Sequence, residues 1–242
     1  MATKKTIALF GTGSGLGASL ANRFGREGYR VALVARRAAP LQERVAELAT
    51  IGIEATAFPA DLTDLAGVPA LVRSIEARFD NIDVAIYAPV PSSLGFVPAV
   101  DLDAKTLQSM TGIFTYAPIE VAHAVLQGQL ARGEGAIVIV GGLTALMTVP
   151  GLSGVGPAMA ATRNYVYTLN AEVAHHGVYA GTVNIGALID RSRGFRAMTA
   201  DGTIELDPKY LVLDPDDIAQ EIWTLVTKRD RVEAILPPQP AA

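Results

Sequence analysis

Apolar residues along this chain follow two patterns that alternate: short unbroken runs, and longer stretches in which they recur every three or four positions. The runs fall near 7–10, 31–35, 53–58, 83–87, 136–140 and 178–185. A run that is apolar on both faces, such as Ile7 to Phe10, suits a strand buried within a parallel sheet. Each run is followed by a helical pattern; after the first, Leu16, Leu20, Ala21 and Phe24 mark one helical face. The alternation predicts an α/β fold, a doubly wound Rossmann-type parallel sheet with helices on both faces, because parallel neighbours need right-handed helical crossovers. Glycine and proline punctuate the elements, but no linker, repeat or low-complexity segment divides residues 1–242, so one domain is expected. The polar, weakly periodic stretch at about 190–210 suits a lid over a pocket, and residues 237–242 form a short Pro-rich tail.

Between the first strand and its helix stand Gly11, Gly13, Gly15 and Gly17, with Ser14 and Leu16 among them. Glycine permits positive φ and close approach to a ligand, and the free N–H groups that open the next helix favour a phosphate. The stretch therefore reads as a pyrophosphate cradle. The second strand ends in Ala35-Arg36-Arg37. A carboxylate at that place would bind a bare ribose, whereas two guanidinium groups suit the extra phosphate of NADP, so the expected cofactor is NADP(H).

Composition narrows the class. Half of the 242 residues are apolar, enough for a sizeable core, and a formal charge of −4 without a basic stripe gives no pull toward nucleic acid. There is no cysteine, which excludes disulfides and thiolate metal sites, and His123, His175 and His176 lack metal-ligand spacing, so no metal is expected. No run suits a membrane span or a signal peptide, and a soluble cytoplasmic protein acting on a small molecule is the expectation.

With these residues in view, nearly the whole chain resembles the short-chain dehydrogenase/reductase family. Gly11, Gly15 and Gly17 match its G-x-x-x-G-x-G loop, Ser14 lies where NADP-preferring members place a 2′-phosphate contact, and Asp61-Leu62 match the adenine-contacting Asp and its neighbour. The helical stretch of about 103–132, the strand 136–140, and Leu169 to Gly186 with Glu172 and Gly177 fall in register as well. The resemblance implies cofactor contacts from Ala88, Pro89, Gly186 and Asp190. It also implies a homotetramer or homodimer built on helices near 103–132 and 157–176.

The chemistry departs from that register. Where the family carries Asn-Asn-Ala-Gly, this chain has Tyr87-Ala88-Pro89-Val90. The catalytic Asn aligns with Ser109, the Ser with Gly142, and the Tyr and Lys with Val155 and Met159. Nearby Tyr165 and Tyr167 have Leu169 and Ala171 at i+4, and no lysine stands between Lys105 and Lys209, so no shift of register restores the pair. Losing a positioned acid removes about 10² to 10⁴ in rate, which argues against ordinary ketone reduction. Candidate replacements are the Tyr87 phenol and the Ser109 hydroxyl, with Gly142, Val155 and Met159 lining the substrate pocket. Two function classes remain: an NADP(H)-dependent oxidoreductase of non-standard mechanism, acting on an imine, iminium or activated alkene, and a catalytically silent NADP(H)-binding sensor or partner subunit.

Overall fold

The computed structural model describes residues 4–91, 96–199 and 211–238. Its strands and helices alternate in chain order: β1 (Thr6–Phe10), α1 (Leu16–Arg26), β2 (Arg30–Ala35), α2 (Ala38–Thr50), β3 (Ala55–Pro59), α3 (Val68–Phe79) and β4 (Val84–Tyr87). Then come α4 (Ala104–Thr111), α5 (Ala117–Arg132), β5 (Gly135–Gly142), α6 (Val155–Val173) and β6 (Val178–Ile185). The chain continues through β7 (Leu188–Ile189), α7 (Arg193–Thr199), β8 (Val212–Leu213), α8 (Pro215–Lys228) and β9 (Glu233–Leu236). The main sheet has seven strands in the order β3-β2-β1-β4-β5-β6-β9. All of its pairings are parallel.

Strand alternation feeds two cores. Ile7 and Leu9 of β1 join Leu20 and Phe24 of α1 and Ile218, Ile222 and Leu225 of α8 on one face. Ala8 and Phe10 face the other way, toward Val72, Ile75 and Phe79 of α3, Val121 and Val125 of α5, and Val166 and Leu169 of α6. Both faces of the central strands are covered by helices, which is why the sequence reads there as unbroken apolar runs. The order of connection reverses between β1 and β4, and the crevice beyond the carboxyl ends of those strands is the place where such a sheet binds ligands.

The structure adds β9, absent from the six expected strands, and moves the third strand from 53–58 to Ala55–Pro59. Ile53 lies outside that strand and is buried against Gly25 of α1, so its apolarity serves helix packing. The helix expected at 157–176 runs from Val155 to Val173, tightens to a 3₁₀ turn over Ala174–His176, and stops at Gly177, whose φ is 78°. The stretch 103–132 is helical but interrupted, since α4 passes into a π-helical turn, Gly112–Tyr116, before α5 begins. Of the lid expected at 190–210, residues 200–210 lie outside the described residues, as do 239–242 of the tail.

Candidate functional site

The glycine loop closes the carboxyl end of β1 and is tied to its neighbour, because Gly11 and Thr12 both donate their N–H to the Val34 carbonyl, at 2.9 and 2.8 Å. Gly11 holds a φ of 96°, and a Cβ there would meet the Pro89 backbone nitrogen at 2.4 Å, so only glycine lets β1 and β4 exit side by side. Ala88 donates to the Phe10 carbonyl at 2.8 Å, fixing Ala88-Pro89 against the loop. No side chain caps α1 at Gly15, which leaves the N–H groups of its first turn, Leu16 and Gly17, without a side-chain acceptor. Gly15 faces Ser192, and the Ser14 hydroxyl donates to the Arg191 carbonyl at 3.0 Å, so the segment after β7 lies against the loop.

Arg36 and Arg37 follow β2 and are exposed. Neither makes an ion pair among the described residues. Asp61, beyond β3, accepts from the Thr63 N–H at 3.0 Å and from its hydroxyl at 2.8 Å. Those two bonds, in that order, and the nearby Arg36 charge hold its carboxyl below the usual value. Leu62 is buried in the core on the α3 side.

A second group of contacts joins α6 to the π turn. A π turn displaces carbonyls from their helical donors, and here Ile113 and Phe114 are served from outside the helix. The Tyr87 phenol donates to the Ile113 carbonyl at 2.6 Å and the Thr162 hydroxyl to the Phe114 carbonyl at 2.6 Å. Thr115 returns the link, its hydroxyl donating to the Ala158 carbonyl at 2.8 Å. Met110, Phe114, Val155 and Ala158 form an apolar cluster against which Met159 packs. A cavity of about 20 Å³, room for a single water, lies below and is lined by Tyr87, Phe114, Met159, Arg163 and Asn184 among others. The Arg163 charge is answered by Glu233, with bonds of 2.5 and 2.7 Å, and Asn184 and Tyr167 also donate to that carboxylate, at 2.8 and 3.0 Å.

These placements revise several sequence-based candidates. Tyr87 is only 3% exposed, burial pushes its pKa up, and its hydroxyl donates to the Ile113 carbonyl, so the phenol braces the π turn while it lines the cavity. Ser109 is exposed on α4 and donates back to the Thr106 carbonyl at 2.7 Å, while the residue this helical stretch sends to the cavity is Phe114. Val155 is 3% exposed and packs within the wall. Met159 does line the cavity, and its sulfur lies 3.2 Å from the Gly142 nitrogen. Gly186 donates to the Leu236 carbonyl at 2.7 Å. Asp190 is turned to its own backbone, accepting from the Arg191 N–H at 2.7 Å. Sequence reasoning missed Phe114 as a lining residue and missed the Arg163–Glu233 pair, whose partners are 70 positions apart.

The sequence profile of the short chain dehydrogenase family matches residues 5–193. The chain belongs to the short-chain dehydrogenase family. Its relatives include a dehydrogenase/reductase SDR family protein 7-like of Drosophila melanogaster, 25% identical over 240 residues and covering 93% of this chain and 71% of the relative. Another is 2-(S)-hydroxypropyl-CoM dehydrogenase 3 of Xanthobacter autotrophicus, 26% identical over 230 residues, covering 92% and 89%. Among solved structures, L-sorbose reductase from Gluconobacter frateurii, complexed with NADPH and L-sorbose, superposes with a TM-score of 0.84 at 21% identity, covering 97% of this chain and 95% of that one. Among the described residues no cluster of His, Asp or Glu could hold a metal, and no helix is long and apolar enough to cross a membrane.

Proposed function

We propose that this short-chain dehydrogenase family member is an NADP(H)-dependent oxidoreductase whose small-molecule acceptor needs no tyrosine acid. The observation that carries this reading is the contrast between the two sides of the crevice. On the cofactor side, an uncapped helix start behind a glycine loop and two arginines that make no ion pair among the described residues fit a diphosphate and a 2′-phosphate. On the substrate side, Gly142, Val155 and Met159 offer no group that can give up a proton. The NADPH in the sorbose reductase complex supports the choice of cofactor.

The residues divide the work as follows. Gly11, Gly13, Ser14, Gly15, Leu16 and Gly17 hold the diphosphate, Arg36 and Arg37 the 2′-phosphate, and Asp61 and Leu62 the adenine. Ala88, Pro89, Gly186 and Asp190 line the way to the nicotinamide. When bound, NADP(H) supplies or accepts the hydride. Phe114 and Met159 wall the cavity below with apolar surface and leave room for no more than a single water. Their apolar surface opposes a free cation, and the Asp190 carboxylate that would accompany one is engaged with the Arg191 N–H. An activated alkene therefore suits the site better than an iminium, and both suit it better than a simple ketone. We further propose self-association through the outer faces of α5 and α6, consistent with the exposure of Leu130 on α5 and Tyr167 on α6.

The second reading, a silent binder, is favoured by one observation: among the described residues, the one charged side chain lining the cavity, Arg163, is neutralised by Glu233. A panel of enones, imines and ketones assayed by NADPH consumption, beside a direct NADPH titration, separates the two. Turnover of the enones above the ketones is expected. Tight NADPH binding without turnover of any acceptor would replace the first reading with the second.

A further inference from the structure

The chain after β7 is packed onto the loop that opens α1. A Cβ on Gly15 would meet the nitrogen, Cα and Cβ of Ser192 at 3.1 Å each, so Ser192 fills the space beside Gly15. The contacts that keep it there come from both sides. Leu188 and Ile189 pair with Val212 and Leu213, and the Asp190 N–H donates to the Leu213 carbonyl at 3.0 Å. The Arg191 carbonyl accepts from the Ser14 hydroxyl at 3.0 Å and from the Arg196 guanidinium at 2.8 Å. The Arg191 side chain reaches the other way, to the Asp214 and Asp216 carboxylates at the start of α8, the second at 3.0 Å. Both carboxylates are held in place: Asp214 caps α8 by accepting from the Asp216 N–H at 2.8 Å, and Asp216 is hydrogen-bonded to the Ser19 side chain of α1. Arg191 has a φ of 58°, in the left-handed region that a side chain occupies at a cost, so its conformation depends on what it grips.

We propose that residues 190–196 are an autoinhibitory strap: Arg191, gripped by Asp214 and Asp216, keeps Ser192 against Gly15 and shuts the cradle to the NADP(H) diphosphate until those ion pairs break. The inference rests on the NADP(H) reading of the cradle. A diphosphate on the Leu16 and Gly17 N–H groups needs its oxygens within about 3 Å of those nitrogens, and Ser192 leaves it no room beside Gly15. The latch is weak enough to open. Arg191 is 46% exposed and its partners 50% and 62%, and exposed pairs of this kind contribute little and exchange readily with water. Affinity for the cofactor is then the intrinsic affinity of the cradle reduced by the fraction of molecules with the strap open.

The test follows NADPH binding to the full chain by stopped flow, through the fluorescence of the cofactor. Arg191→Gln releases the latch from one side, and Asp214→Asn combined with Asp216→Asn releases it from the other while asparagine still caps α8. Each should raise the association rate about three-fold to ten-fold and leave the dissociation rate unchanged, because only the cofactor-free chain is latched. The two variants alter the net charge in opposite directions, so an effect of charge on the approach of the anionic cofactor would speed one and slow the other. Displacement of the strap is read separately. The sequence has no cysteine, so Ser192→Cys supplies a single thiol, and saturating NADPH should speed its reaction with Ellman's reagent several-fold. The latch substitutions placed in the Ser192→Cys background should speed the same reaction without cofactor. Association that quickens in only one of the two latch variants, or in neither, overturns the latch. A thiol that NADPH protects or leaves unaffected overturns the strap, and in both cases the NADP(H) reading stands. Failure of the wild type and of both latch variants to bind NADPH overturns that reading and this inference with it.

Discussion

A phenol shut away from water holds its proton tightly, and Tyr87 is such a phenol: burial raises its pKa above the value of about 10 expected in the unfolded chain. A folded-state value above the unfolded one means that the stabilisation is complete below pH 10 and is lost as pH rises beyond it. The melting temperature of the wild type should therefore fall more steeply between pH 9.5 and 11.5 than that of Tyr87→Phe. Parallel curves would show that Tyr87 titrates freely. Val155 and Met159, one helical turn apart, should part in the same kind of experiment. Val155→Ser exposes the buried cluster to a hydroxyl and should cost roughly 2 to 3 kcal/mol in urea unfolding, whereas the half-buried Met159→Gln should leave stability nearly intact and lower turnover. An equal loss of stability in both would contradict the burial difference. The glycine loop was legible at this scale because the need for small residues is local. The wall residue Phe114 was not, because which side of a helix faces a cleft depends on how its turns are wound.

The winding belongs to the elements. Residues 103–132 carry a helical pattern broken by Gly112 and by Pro118, which has no N–H for the Phe114 carbonyl four positions back, but the partners that let the wide turn at Gly112–Tyr116 hold, Tyr87 and Thr162, come from elsewhere in the chain. Thr162→Val should leave the Phe114 carbonyl without its donor and cost about 1 to 3 kcal/mol, while Thr162→Ser should cost much less; urea unfolding of the pair measures the difference. If the valine variant is as stable as the wild type, the turn holds itself without that bond. β9 escaped notice for a related reason. It is a four-residue edge strand that begins with Glu233 and runs into Pro237, and the carboxylate is tolerable in the sheet only because Arg163, Tyr167 and Asn184 converge on it. The central strands needed no such distant partners, and their apolar runs marked them at once.

For the molecule as a whole, the parallel order could be reached from the alternation of runs and helical stretches, because crossover handedness leaves few arrangements open. What the alternation does not carry is how the two ends of the chain meet at the crevice. The Arg191 guanidinium pairs with Asp214 and Asp216 at the start of α8, and its carbonyl receives the Ser14 hydroxyl, so the segment after β7 links the amino-terminal loop to the carboxyl-terminal helix. A cofactor seated between those parts should stabilise the fold as a unit. At a hundred-fold excess over its dissociation constant a ligand adds about 2.7 kcal/mol, which for a chain of this size raises the melting temperature by roughly 5 to 11 °C. NADPH should give a shift of that order. NADH at the same concentration should give a smaller one, because Arg36 and Arg37 have no 2′-phosphate to pair and each such charge-assisted bond contributes about 1.5 to 3 kcal/mol. Replacing both arginines with alanine should bring the two shifts together by lowering the NADPH value, since the loop and the helix start proposed to hold the diphosphate are untouched. Equal shifts for the two cofactors in the wild type would remove the arginines from the 2′-phosphate site. A preference for NADPH that survives the double replacement would move that preference to another group, with Ser14 the first to examine.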